Sequence, residues 1–217
     1  MLRTYSKRLA ICILGLFLFG VGNFFGVKAG VAGTNAWNTL ALGLAEALGG
    51  TFGTGNLIVS LVIITIDLLG KGKLGIGSIL NALLIPIFSD LLLTVFSFVP
   101  SAPNPYVGAL YALIGQTILS FATILYMKPA LGCGPRDTLM ILIGNRFPRA
   151  PIGAAKFTME LGALLVGLLM GAPFGLGTVL VMILQASIFQ MACKVTRYEP
   201  RSVVHEDFID TWRKITA

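Results

Sequence analysis

Seven residues of this chain combine charge, hydrogen-bonding capacity and spacing in ways that could hold a solute: Asn35, Trp37, Asn38, Arg136, Asp137, Lys156 and Glu160. Lys156 and Glu160 stand four apart inside an apolar run, the spacing that puts two side chains on one helix face and permits an ion pair. Glu160 lies nine residues into that run, about 13 Å at 1.5 Å per residue, and so near mid-membrane if the run crosses a bilayer. A charge at that depth is costly unless paired or wet. Glu160 is therefore either neutralised by Lys156 for packing or part of a path for substrate or protons. Arg136 and Asp137 sit where a short helix would begin at Pro135, and free backbone N–H groups at such a helix end favour an anion. Arg136 adds a planar fork of donors suited to a carboxylate or phosphate; the alternative is an internal Arg136–Asp137 arrangement or a surface cap. Asn35 is a natural N-cap. Trp37 is either a stacking surface for a substrate or an anchor at the membrane interface.

Other features resemble chemistry without supplying it. Cys12, Cys133 and Cys193 lack metal-ligand or CxxC spacing and His205 is the sole histidine, so neither a metal site nor a disulfide framework is expected. No Ser-His-Asp or Cys-His set can be assembled around that one histidine, so the chain is expected not to be an enzyme and to need no cofactor. The Gly-x-Gly pairs at Gly75 and Gly175 lack the strand–helix context and lysine of a nucleotide loop. Close helix packing explains them better.

The elements that must position these residues follow from composition. Of 217 residues, 56% are hydrophobic and 12% charged, whereas a soluble domain carries about 25% charged residues. Too few polar groups remain to cover a water-facing surface. The expected fold is all-α and polytopic, with six transmembrane helices at 9–27, 52–70, 74–98, 107–127, 151–170 and 174–193, each near the roughly 20 residues a crossing needs. Between the first and second spans, and between the fourth and fifth, lie segments that are neither good spans nor good loops, at 33–50 and 133–147. Each opens on small or polar residues and then runs apolar. These are expected as short helices, either re-entrant, where irregular backbone is packed in protein or lines a cavity, or lying in the headgroup region.

The net charge of +7 is explained by its placement. Arg3, Lys7 and Arg8, then Lys71 and Lys73, then Lys128, Arg136, Arg146 and Arg149, then the C-terminal cluster all fall on one side; on the other, 101–106 and 171–173 carry no charge and Lys28 is the lone basic exception. This is the positive-inside pattern of a membrane protein with both termini cytoplasmic. The expected partners are the lipid bilayer, with anionic lipid at the inner leaflet, a small-molecule or ion substrate, and a homo-oligomer or membrane partner protein. Nucleic acid is not expected. Residues 195–217 place Val204, Phe208, Trp212 and Ile215 at helical spacing among charges, so the tail is expected as a cytoplasmic amphipathic helix. Asp67, one turn before Lys71, is expected to snorkel; Asp90 is either a pathway residue or a helix contact.

A shift of 100 residues aligns Gly15 with Gly115, Lys28 with Lys128, Gly53 with Gly153, Gly75 and Gly77 with Gly175 and Gly177, and Ser78 with Thr178; one residue fewer aligns Asn38-Thr39-Leu40 with Asp137-Thr138-Leu139. The expected halves are 1–106 and 107–194, each with three spans and one short helix. Three is odd, so the second copy must enter the membrane from the opposite side, giving the inverted repeat found in many transporters. The repeat also argues against reading the N-terminus as a signal peptide cleaved near Val27-Lys28-Ala29.

The Gly-Val-Ala-Gly-Thr-Asn-Ala-Trp-Asn run at 30–38, the Leu-Gly-Cys-Gly-Pro-Arg-Asp run at 131–137 and the two Gly-x-Gly-Ser/Thr entries resemble the YczE/YitT-type group of bacterial membrane proteins, over residues 8–194. The resemblance implies an inner-membrane protein and little chemistry. Where close relatives read small-Pro-Trp-Asp in the first copy, this chain has Ala36 and Asn38, so a mechanism needing a symmetric pair of aspartates lacks one carboxylate. The expected function is a transporter or channel for a small polar or anionic solute bound near the N-termini of the two short helices. The alternative is a non-transporting subunit, either the substrate-binding component of a multi-protein importer or an accessory factor.

Overall fold

The computed structural model describes residues 2–149, 152–199, 203, 205–208 and 210. Among the described residues eight helices follow one another: α1 (Leu2–Lys28), α2 (Ala36–Leu48), α3 (Phe52–Leu69), α4 (Ile76–Val95), α5 (Pro105–Met127), α6 (Pro135–Arg146), α7 (Ile152–Leu169) and α8 (Leu176–Thr196). A single 3-10 turn at Gly30–Ala32 joins α1 to the approach of α2, and there is no strand among the described residues. Among the described residues five helices are long and apolar enough to cross a membrane, namely α1 from Tyr5, α3, α4, α5 and α8. Their outer faces carry exposed Leu14, Leu61, Leu69 and Ile183, an exterior suited to lipid rather than water.

The expected spans each fall on one helix and differ from it at the ends. Hydropathy sees the apolar stretch, whereas a helix continues through polar residues beyond it, so α1 reaches back to Leu2. The short elements are helices too, and local chemistry sets their limits. Asn35 accepts the backbone N–H of Asn38 at 3.0 Å and so starts α2, while left-handed Gly49 ends it. Pro135 opens α6, where its fixed φ and missing N–H cost nothing. The turns leading into the two short helices contain Gly33 and Gly132, with φ of 73° and 122°, conformations that disfavour any side chain.

Small residues bring the helices together. A Cβ on Gly15 would collide with the Tyr126 backbone of α5, one on Gly22 with Leu119, and one on Gly43 of α2 would lie 2.6 Å from the Gly167 carbonyl of α7. Cys12, Leu16, Ile85, Tyr126 and Leu131 form one buried cluster; Ala36, Ala163 and Leu164 form another, with Trp37 and Leu40 against it. Because Ala36 packs at Ala163 and Gly43 at Gly167 and Met170, α2 runs alongside α7 in the same direction. The side chains of Leu142 and Thr138 on α6 reach the turn at Gly70 and Gly72 that ends α3.

One expectation is corrected. Asp67 does not snorkel: it is fully buried, with neither carboxylate oxygen hydrogen-bonded. The chain turns back directly after α3, with the Gly72 N–H donating to the Asp67 carbonyl at 2.7 Å and α6 packed against the turn, so the side chain has no route to water. Of the tail residues, Val204, Trp212 and Ile215 lie outside the described residues, but the described part folds back on the helix ends. Tyr198 packs against Ile124 and Ala192. The Glu206 N–H donates to the Ala130 carbonyl at 3.0 Å and the Phe208 N–H to the Leu74 carbonyl at 3.2 Å. Arg8 donates to the Pro129 carbonyl and forms an ion pair with Glu206.

Candidate functional site

Trp37 is the second residue of α2 and Arg136 the second of α6, and the two meet. The Arg136 guanidinium carbon lies 4.7 Å from the centroid of the Trp37 ring, a cation–π stack worth about 0.5–2 kcal/mol depending on desolvation. One guanidinium nitrogen also donates to Asn56 Oδ1 of α3 at 3.3 Å. Around this stack lies a cavity of about 50 Å³ lined by Trp37, Arg136, Asp137, Met140, Lys156, Met159 and Glu160. That is room for a few waters or a small ion.

Each charge in the wall has a different hold on its surroundings. Lys156 and Glu160 are 3.8 Å apart on α7. The lysine side chain is half exposed, while Glu160 is buried and its second oxygen accepts a hydrogen bond from the Gln185 amide of α8. Asp137 accepts from the Tyr126 hydroxyl at 3.0 Å. Its carboxylate is thereby directed to α5, and Gly134 at the N-cap of α6 supplies no side-chain acceptor for the first-turn N–H groups. Among the described residues Arg136 has no carboxylate within ion-pair distance. Its immediate partners are an aromatic face and a neutral amide.

Five of the seven expected residues, Trp37, Arg136, Asp137, Lys156 and Glu160, thus line one cavity. Asn35 and Asn38 do not. Asn35 is committed to capping α2, and Asn38 is buried with its amide nitrogen near Gly26 and without a hydrogen-bond partner. The Trp37 ring lies against the Arg136 guanidinium and against the Ala163–Leu164 cluster. A second, apolar cavity of about 230 Å³ between α2, α3 and α7 shares Trp37 with the first.

The sequence reading passes over Asn56, Tyr126 and Gln185, each of which holds a charged wall residue. A signal for Asn56 was present. The 100-residue offset carries Asn56 to Lys156 and Ser60 to Glu160, and Asn56 and Ser60 are both buried polar residues in an apolar span. At that offset the later position of each pair is charged and the earlier one neutral. Tyr126 and Gln185 carry no such mark, because one tyrosine or glutamine in an apolar run looks like any other.

Helices with lipid-suited exteriors surrounding a cavity of mixed charge define a multi-pass membrane protein. The chain belongs to a family of unknown function, DUF6198, whose pattern matches residues 6–194. It is 31% identical over 174 residues to an uncharacterized protein of Haemophilus influenzae, covering 80% of this chain and 78% of that one. It is 28% identical over 180 residues to the uncharacterized membrane protein YczE of Bacillus subtilis, covering 82% and 81%. The YczE-type resemblance carried by the two short motifs thus holds along most of the chain. No solved structure matches.

Proposed function

We propose that this protein is an inner-membrane transporter or channel for a small anionic solute, bound where the N-termini of α2 and α6 meet. The observation that carries the reading is Arg136: a cation stacked on Trp37, bonded only to a neutral amide and placed at a helix start that no side chain caps. Asn56 adds a buried amide nitrogen without a partner beside it. Arg136 and the Asn56 amide thus offer donors to one wall of a cavity whose carboxylates are already held, Asp137 by Tyr126 and Glu160 by Gln185 and Lys156, so an anion completes the site.

In this reading α7 is a sixth crossing, α2 and α6 are re-entrant, and the two halves are related by an inverted repeat. Supporting it, helix lengths run 27, 13, 18 and 20 residues in the first half and 23, 12, 18 and 21 in the second. Equivalent glycines also make equivalent approaches: Gly77 packs on the Leu131 and Gly132 carbonyls, and Gly177 on those of Ala32 and Gly33. Broken helices whose ends face each other at mid-membrane form the binding sites of many such transporters.

The test is flux. The purified protein in liposomes is expected to move at least one of nitrate, acetate or phosphate, and Arg136→Gln is expected to abolish that flux while the protein stays monodisperse. Arg136→Lys keeps the charge without the planar fork and is expected to retain a small part of it. Undiminished flux in Arg136→Gln, or none in the wild type for any of the three anions, sinks the proposal.

A further inference from the structure

Equivalent positions in the two halves differ most sharply at the starts of α3 and α7. On α4, the Asp90 carboxylate accepts the Gly53 backbone N–H at 2.7 Å and the Thr51 hydroxyl at 2.5 Å, and so caps the first turn of α3 from a neighbouring helix. The fit is close, since a Cβ on Gly53 would collide with that carboxylate and with the Pro86 carbonyl. One hundred residues on, Gly153 stands in the first turn of α7 and Gln190 takes the place of Asp90 on α8. The same pairing of a glycine N–H with a side-chain oxygen is available there, but it is not made. Among the described residues a Cβ on Gly153 would meet nothing within 4 Å, and Gln190 is exposed. Gly162, a further two and a half turns along α7, is equally open, and Lys156, Phe157 and Thr158 are exposed between them. At the other end of α7 the packing is tight, with Gly167 against the Thr39–Leu40 backbone and Gly43 against Gly167.

We propose that Asp90 and Gln190 are the two latches of an alternating-access gate, with the Asp90 latch closed and the Gln190 latch open in this structure. The inference rests on the inverted-repeat transporter reading. One end of the molecule is sealed where α2 packs on α7 and Asp90 pins α3 to α4, while the opposite end is loose where α7 parts from α8. The cavity at Trp37 and Arg136 is then reached from the cytoplasmic side. In the opposite state the Gln190 amide oxygen accepts the Gly153 N–H, α7 closes on α8, and Asp90 releases Gly53. The side chains also set the resting balance. A carboxylate at a helix start makes charge-assisted hydrogen bonds, about twice as strong as those of a neutral amide, so the Asp90 latch is the more often closed.

The gate is tested by accessibility, without any solute, in the full chain with Cys12, Cys133 and Cys193 replaced by serine and Met159→Cys introduced into the cavity wall. A membrane-impermeant maleimide is expected to label this cysteine from the cytoplasmic side. Adding Asp90→Asn, which weakens the closed latch, or Gln190→Glu, which strengthens the open one, is expected to raise labelling from the outer side roughly tenfold, the population change for one charge-assisted hydrogen bond. Gln190→Glu leaves the α3 contact intact, so a folding defect in Asp90→Asn does not decide the outcome. Gly153→Cys with Gln190→Cys is expected to cross-link within one chain. Labelling that stays cytoplasmic in both variants overturns the gate. So does a cross-link found only between two chains, which would make the exposed face of α8 a contact between copies. If labelling changes sides but no anion moves in liposomes, the gate stands and the transport reading falls; if anions move and labelling does not change sides, the gate falls alone.

Discussion

Glu160 is buried beside a half-exposed lysine and bonded to the Gln185 amide, and this arrangement separates a structural role from a functional one. An ion pair with one partner so exposed contributes about 0–1 kcal/mol. Glu160→Gln keeps the side-chain shape and an oxygen for Gln185, so the thermal unfolding midpoint in detergent is expected to move little. Anion flux in the same variant is expected to change in rate or lose its pH dependence, measured in liposomes across pH 5–8. A variant with wild-type flux at every pH removes Glu160 from the site. The residues that sequence alone makes legible here are those whose burial is costly: charges at membrane depth and the Arg-Asp pair after Pro135. Asn35 and Asn38 mislead because capping and core packing use the same amide chemistry as ligand binding. Asp67 misleads because the turn that encloses it is tertiary: its lysine neighbour in sequence suggests a route to water that packing of α6 removes.

Among the elements, the described tail has a chemistry of its own. Burial pushes the His205 pKa below the ordinary value near 6.5, with nearby Asp137 opposing the shift, and the neighbouring Glu206 is tied to Arg8 and Ala130. A base whose pKa falls on docking binds its proton more weakly when docked. Docking is therefore strongest where the histidine is neutral in both states, above about pH 6.5, and weakens as pH falls below it toward the lowered value. Relative to the intrinsic rate, hydrogen exchange at 205–208 is expected to speed up between pH 7 and pH 5.5 in the wild type. In His205→Gln the extra acceleration should be absent once the intrinsic exchange rate is divided out; equal profiles would show that the histidine does not govern docking. The tail's return to Leu74 and Ala130 was not legible in its sequence, because helical spacing marks an apolar face without naming what covers it. The short helices were legible, since small and polar residues followed by an apolar run too short to cross leave few alternatives.

For the whole molecule, the placement of charge makes the sharpest claim. In the proposed orientation, cysteines introduced at 101–105 are expected to react with an impermeant reagent added outside intact cells, and cysteines at Lys71 and Lys73 only after the membrane is opened. Outside labelling at Lys71 or Lys73 would remove the single orientation and with it the inverted relation of the halves. Class and helix order were readable from the sequence because lipid demands long apolar runs. What was not readable is which faces meet. The Gly43–Gly167 approach and the Asp90 cap join residues far apart in the chain, and each is decided by shape rather than by hydropathy.

The stacking of Trp37 beneath Arg136 also makes the cavity optically visible. The chain has two tryptophans, so Trp212→Phe leaves a single fluorophore whose indole ring lies against the proposed anion contact. A guanidinium over the ring perturbs its excited state, and an anion that draws the guanidinium away changes both emission wavelength and quantum yield. Titrating nitrate, acetate or phosphate into this variant is expected to give a saturable emission change, with chloride at equal ionic strength as the control. Arg136→Gln is expected to start from a different spectrum and to respond to none of them. The binding step could then be followed in detergent, apart from any movement of solute across a membrane.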